Sequence, residues 1–163
     1  MFEIDLVTLL MSCLLMCAFS VPFITHGLKN KKKTNLLITQ LKELGQSIGS
    51  SPSELDTWRH CYAIGIDVHQ GVLIYVRHGV ASVSHRLELA DYKKVNLIKN
   101  FQSNTERPKA PQLPEYVALE LIPVASSANA VSLEIYDVEQ YSDLLGETVL
   151  ADKWFELVKS QLK

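Results

Sequence analysis

Cysteine, glycine and tryptophan are all scarce in this chain of 163 residues, at three, seven and two. Two of the cysteines, Cys13 and Cys17, fall inside an apolar run and Cys61 stands alone, so neither a disulfide framework nor a metal-ligand set is expected. Such usage suits a reducing compartment. The glycines never cluster into GxGxxG or GxxxxGK[ST], which removes the backbone cradles that hold nucleotide phosphates. Histidine is present five times but never as HxH or HExxH. His60, His69, His78 and His85 read as exposed residues at strand ends, with His69 and His78 flanking a hairpin across which they can approach. Cys61 adjoins His60, yet neighbouring strand residues point to opposite faces and cannot pair as nucleophile and base. No nucleophile elbow is recognised among the serines. The chain is therefore expected to be no enzyme and to use no cofactor. The alternative, an enzyme working through paired carboxylates or His69 and His78, has no sequence signature to support it.

Charge is missing from one long stretch. Between Leu6 and Leu28 there is no Asp, Glu, Lys or Arg. A helix rises about 1.5 Å per residue, so about 20 apolar residues cross the roughly 30 Å hydrocarbon core of a bilayer. Residues 1–28 are accordingly read as a single-pass transmembrane anchor. A secretory signal peptide needs a positive n-region, whereas Glu3 and Asp5 precede this run. A lipoprotein signal fails on the residues around Cys13 and Cys17, and a buried core helix is not apolar on every side over such a length. Pro22 falls late in the span, where a kink is tolerated. Lys29, Lys31, Lys32 and Lys33 follow at once, and short Lys-rich flanks stay on the cytoplasmic side. The N-terminus is thus expected outside, with the rest of the chain cytoplasmic. The same lysines add about 1 kcal/mol each of attraction to an anionic leaflet.

Residues 29–57 read as a basic juxtamembrane stalk helix and linker. Leu37, Leu41, Leu44 and Ile48 recur at intervals of four, three and four, forming one helical stripe. Gly45 weakens this helix and Gly49 ends it, before the turn-rich Ser-Ser-Pro-Ser run at 50–53. The stripe is expected to pack on the domain that follows. The alternative is a homodimer through a short parallel coiled coil, for which fewer than two heptads are available.

From residue 58 to the end the period changes. Strands are predicted at Tyr62–His69, Val72–Arg77, Val80–Leu89, Lys93–Phe101, Tyr116–Val124 and Val131–Asp137, with a proline-bearing loop over 102–115. The tail then carries Val149, Leu150, Trp154, Leu157, Val158 and Leu162 at helical spacing, capped at Gly146 or Thr148. Strands in succession followed by one amphipathic helix make an α+β fold: a bent antiparallel sheet or partial barrel closed by the helix, with Trp154 as core anchor. In order and proportion, residues 58–163 resemble a pleckstrin-homology-like domain, without its usual seventh strand. The segments IGIDVHQGVLIYV, SHRLELADYKKV, VSLEIYD and LGETVLADKWFELV also resemble an uncharacterised family of membrane-anchored bacterial proteins. That family implies no chemistry.

Charge is divided within the domain. Between Arg77 and Lys109 seven basic residues face three acids, whereas from Glu115 onward nine acids face three bases. The halves can neutralise each other within the fold. Alternatively, Arg77, Arg86, Lys93 and Lys94 form an anionic-surface patch, making the domain a lipid-headgroup reader. Nucleic acid is not an expected partner, because the domain is net acidic and lacks aromatic–basic interleaving. The leading expectation is a non-catalytic, membrane-tethered interaction module that binds a protein through a sheet edge or groove.

Overall fold

The computed structural model describes residues 6–47, 49–79, 82–101 and 113–162. Its first element, α1, is one helix from Leu6 to Gln46. Span and stalk are therefore continuous rather than two elements. Between Leu28 and Leu44 there is neither glycine nor proline, and the lysines that end the apolar run are themselves good helix formers. Pro22 lies within the helix. Its missing N–H leaves one carbonyl without a helical partner, and nearby hydroxyls bond back to the helix: Thr25 to the Pro22 carbonyl and Ser20 to the Met16 carbonyl. This is one helix long and apolar enough to cross a membrane, and none of its most apolar stretch is buried in the fold.

Seven strands follow: β1 Glu54–Trp58, β2 Tyr62–Asp67, β3 Val72–Arg77, β4 Val83–Glu88, β5 Tyr92–Phe101, β6 Pro114–Pro123 and β7 Val131–Asp137. They form two antiparallel sheets, β1-β2-β3-β4 and β5-β6-β7, and not a closed barrel. The last element is α2, Glu147–Gln161. The class is α+β, and it contains one strand more than the six predicted. The extra strand is β1, in the segment read as linker, where Leu55 and Trp58 serve opposite faces and the polar Glu54, Asp56 and Thr57 leave no apolar alternation to see. The predicted start of β4 at Val80 and the loop over 102–112 lie outside the described residues, as does Ile48 of the helical stripe.

Two apolar layers sandwich the first sheet. On its inner side Tyr62, Ile64, Ile66, Leu73 and Tyr75 join Leu119, Leu121 and Leu133 of the second sheet, and Trp154 of α2 closes this core, fully buried. On its outer side α1 lays Leu37 and Leu41 onto Ala63, Val72, Ile74 and Val76. Both faces of β2 and β3 are thus covered, which is why these strands read as almost unbroken apolar runs. Gly65 makes the helix contact feasible: a Cβ there would lie 2.9 Å from Leu41 Cδ2 and 3.3 Å from Pro52 Cβ. Of the stalk stripe, Leu37 and Leu41 are thus buried, and Leu44 partly buried, against the chain's own sheet.

Trp154 is also tied by polarity, since its indole Nε1 donates to Asp56 Oδ2 at 2.9 Å. Lys153 reaches the same carboxylate at 2.7 Å, so α2 is pinned along β1. The helix begins after Gly146, whose φ of 98° is left-handed, and has no side-chain N-cap; the cap expected of Thr148 is not formed. Glu147 is buried instead, accepting from the Leu145 N–H and from Arg59 Nε. Val149, expected on the core stripe, faces outward.

Candidate functional site

Strand β5 pairs only with β6; among the described residues its other edge carries no strand. β5 is ten residues long, above the usual strand length; toward its end Lys99 Nζ bonds Asp152 of α2 at 2.8 Å, so the helix lies along that part and the strand-free edge is offered in the first half, where open edges are templates for another chain. Between β5 and α2 runs an open groove of about 590 Å³, with Val95, Leu97, Phe155 and Leu162 on its floor and walls. Lys93 and Lys94 line one side and Lys159 the other. Lys93 is set apart by a bulge: Tyr92 pairs with Pro123 and Lys94 with Ile122, leaving Lys93 outside the ladder. Lys159 lies over the Phe155 ring at 5.2 Å, and its acidic contact among the described residues is Glu156, at 3.7 Å. Neither Lys93 nor Lys94 has an acidic partner among the described residues, and both are exposed. The groove therefore presents an apolar floor, unpaired backbone groups and a positive rim.

The four residues expected to form one anionic-surface patch are not brought together. Arg77 is turned inward, its guanidinium bonded to Glu134 at 2.5 Å. Burial lowers its pKa, but the bond and charge of Glu134 outweigh that and raise it. Arg86 pairs in register with Ile74 and so lies on the outer face of the first sheet, beside α1. Only Lys93 and Lys94 share a surface. Lys93 also lines the cavity at the β2–β3 turn, where Gln70 bonds the Gly49 carbonyl just beyond the end of α1. Lys29, Lys31, Lys32 and Lys33 are exposed at the opposite end of the helical segment. From Lys29 to Gln46 is about 25 Å along the axis. Arg107 and Lys109 lie outside the described residues.

Sequence reasoning missed a second constellation, at the end where α1 enters the fold. Arg59 and His60 form the β1–β2 turn with φ of 52° and 56°, both left-handed without being glycine. Each such residue costs roughly 1–2 kcal/mol. Several contacts hold the turn: Arg59 bonds Glu147 and Asp143 and lies 4.6 Å from the Tyr141 ring, and His60 Nδ1 is 3.0 Å from Thr34 Oγ1. The Thr34 hydroxyl also lies 3.1 Å from the Asn30 carbonyl oxygen, so it joins the turn to the backbone of α1. Beside the turn, Glu134 accepts from Tyr62, Arg77 and Gln140. Desolvation, then the bond to Glu134, pushes the Tyr62 hydroxyl pKa far above its usual value. Desolvation and the Cys61 bond push Tyr141 up to about 12.

His69 and His78 do not meet. They stand at opposite ends of β3, a six-residue strand spanning about 20 Å. His78 is near His60 instead, both lining one cleft, and its Nε2 bonds Gln40 of α1. No group of three or more His, Cys, Asp or Glu side chains suited to a metal ion occurs among the described residues. Cys61 Sγ lies 2.9 Å from Tyr141 Oη, and desolvation raises its pKa, the reverse of what an activated thiolate requires. Contrary to the expectation of no elbow, one match to the Gly-x-Ser-x-Gly pattern occurs, Gly45-Gln46-Ser47-Ile48-Gly49. It closes a helix rather than joining a strand to one, and the Ser47 hydroxyl donates to the Leu44 carbonyl at 2.8 Å. It supplies no nucleophile geometry.

Searches with protein-family models, against curated proteins and against solved structures find no match to this chain. The functional reading therefore stands on geometry alone.

Proposed function

We propose that this chain is a membrane-tethered, non-catalytic interaction module of pleckstrin-homology-like architecture. Its α1 helix crosses the membrane with the N-terminus outside, and the folded part is cytoplasmic. The architectural reading draws on the four-plus-three strand arrangement and the single C-terminal helix with its buried Trp154. The orientation draws on Lys29, Lys31, Lys32 and Lys33 at the end of the span.

The partner is a protein segment that adds to β5 as an extra strand. The observation that carries this is the open β5 edge facing an apolar groove rimmed by Lys93, Lys94 and Lys159. Backbone bonds along the edge supply affinity without regard to sequence, while alternate side chains of the incoming strand enter the groove and give specificity. Three lysines without strong acidic partners select a segment that alternates apolar residues with Asp or Glu. The lipid-headgroup reading of Lys93 and Lys94 is less well supported, because they lie at the end of the fold remote from Lys29.

Peptide display against the full-length chain in nanodiscs tests this. Selected sequences are expected to be extended, apolar and acidic, and to lose binding when Lys93→Glu and Lys94→Glu are combined. Peptides without acidic bias, or peptides that bind the double variant equally well, would refute the groove as the site.

A further inference from the structure

The exposed apolar side chains of the folded part are concentrated at one end. Beyond α1, the large ones among the described residues are Phe101, Leu113, Val124, Val138, Leu145 and Val149. Five of these six ring a single end of the fold. Phe101 closes β5 opposite Pro114, and Leu113 is the residue before Pro114. Val138 follows β7 and donates its N–H to the Glu115 carbonyl at 2.8 Å. Leu145 and Val149 flank the start of α2, held there by the Glu147–Arg59 ion pair. They are 72% and 71% exposed. Val124 alone is elsewhere, bonded through its N–H to the Asp91 carbonyl.

This is also the end that α1 enters. Glu139 and Gln140, next to Val138, line the same cleft as Asn30 and Lys33, and Arg59 and His60 complete it. Asn30 lies two residues past Leu28 and Lys33 five, which is about 3 and 8 Å along the axis. The headgroup layer on each side of the hydrocarbon core is about 5–8 Å deep. Any fold docked on α1 at these residues has this end at headgroup depth. An apolar rim at that depth, beside Lys29, Lys31, Lys32 and Lys33, joins apolar side chains for the acyl boundary to cations for the phosphates, and of its exposed acids Asp143 is neutralised by Arg59 while Glu139 shares the cleft with Lys33.

We infer that Phe101, Leu113, Val138, Leu145 and Val149 rest in the interfacial layer of the same bilayer that α1 crosses. The rim is a second, non-spanning membrane contact that holds the domain at a fixed tilt. This rests on the proposed spanning role of α1. Its consequence is directional: Lys93 and the distal end of the β5 groove point away from the lipid.

The test uses the full chain with its three cysteines replaced by serine, reconstituted in phosphatidylcholine–phosphatidylglycerol vesicles. A nitroxide is placed singly at Met16→Cys, Val124→Cys, Leu145→Cys or Val149→Cys, and collisions with oxygen and a water-soluble nickel chelate are compared. The label at 16 should favour oxygen strongly. Those at 145 and 149 should show several-fold higher oxygen-to-nickel ratios than the label at 124. Ratios at 145 and 149 equal to that at 124, with 16 still buried in lipid, would overturn the inference and leave the anchor intact. A label at 16 exposed to nickel would overturn both. The Leu145→Asp and Val149→Asp pair, on exposed positions that leave the core untouched, should return a label at Val138→Cys to water.

Discussion

Replacing Leu41 with alanine should undock α1 from the domain without disturbing the span. Leu41 is fully buried between α1 and the outer face of the first sheet, against Ala63, Val72, Ile74 and Val76 and over the open space at Gly65. Leucine-to-alanine changes in enclosed cores cost roughly 2.7–5 kcal/mol, depending on how far the site collapses. A helix lying on a sheet can settle inward more easily than a closed core, so the low end applies, about 2.7 kcal/mol. That corresponds to about a hundredfold change in the docking equilibrium. Once undocked, the part of α1 beyond its apolar stretch is a short helix in water, which is marginal alone. Hydrogen exchange on the full chain in nanodiscs should therefore accelerate by about that factor across residues 35–46. Amides of β6 and α2, which belong to the other core, should be unaffected. Unchanged exchange over 35–46 would refute the reasoning, because it would mean that the stalk holds its structure without the sheet.

Gly65→Ala should have a related effect by the opposite route: its Cβ would lie 2.9 Å from Leu41 Cδ2, so the helix must lift, and the same segment should lose protection. Asp67→Asn should lower thermal stability by about 2 kcal/mol, because the carboxylate accepts from Ser50 and from the backbone N–H groups of Ser51, His69 and Gln70. Burial acts to raise the Asp67 pKa, but these bonds outweigh it and the net shift is downward. The stabilisation is then complete above the unfolded value of about 3.9 and lost as pH falls through the lower folded value, so Asp67→Asn should flatten the acid limb of a pH–stability profile. Trp154→Ala should cost about 3–5 kcal/mol in chemical denaturation, with the loss of its bond to Asp56 adding to that of its core volume. His60→Gly should raise the melting temperature, since removal of a left-handed strain of about 1–2 kcal/mol exceeds the value of one exposed bond to Thr34.

Much of this architecture was legible in the residues, and the parts that were not have physical causes. The predicted bounds of β3 and β7 are the observed ones, because β-branched and aromatic runs between turn residues leave little choice. Strand β1 was hidden because its polar side chains are used: Asp56 binds Trp154 and Lys153, an arrangement visible only once α2 lies against it. The break expected between span and stalk did not occur, since a change from apolar to basic alters the solvent of a helix but not its backbone. At the candidate site, Lys93 and Lys94 could be named from composition. That Arg77 would be drawn inward by Glu134, 57 residues away, could not. The left-handed pair Arg59 and His60 carried no warning either, as two such residues in succession have no sequence signature and contacts from Thr34, Tyr141, Asp143 and Glu147 keep them there.

The continuous helix changes what a tethered interaction module can do. A flexible linker lets a domain search a hemisphere of cytoplasm, and its orientation carries no information. Here Leu37 and Leu41 are buried in the same helix whose other end forms the apolar span, and His60 and His78 bind Thr34 and Gln40 on either side of that seam. With α1 crossing a bilayer as proposed, the groove between β5 and α2 is aimed by the helix, at a height and direction set by residue 28. A partner segment that is itself membrane-bound would meet this groove only if its own tether placed it about 25 Å or more from the bilayer, the axial length from Lys29 to Gln46. Inserting one alanine after Lys33 would rotate everything before it by about 100° relative to the docked segment while adding only about 1.5 Å. If aim matters, that insertion should abolish binding to a membrane-bound acidic segment and leave binding to the same segment free in solution unchanged; equal binding in both cases would show that the domain acts as though its tether were flexible.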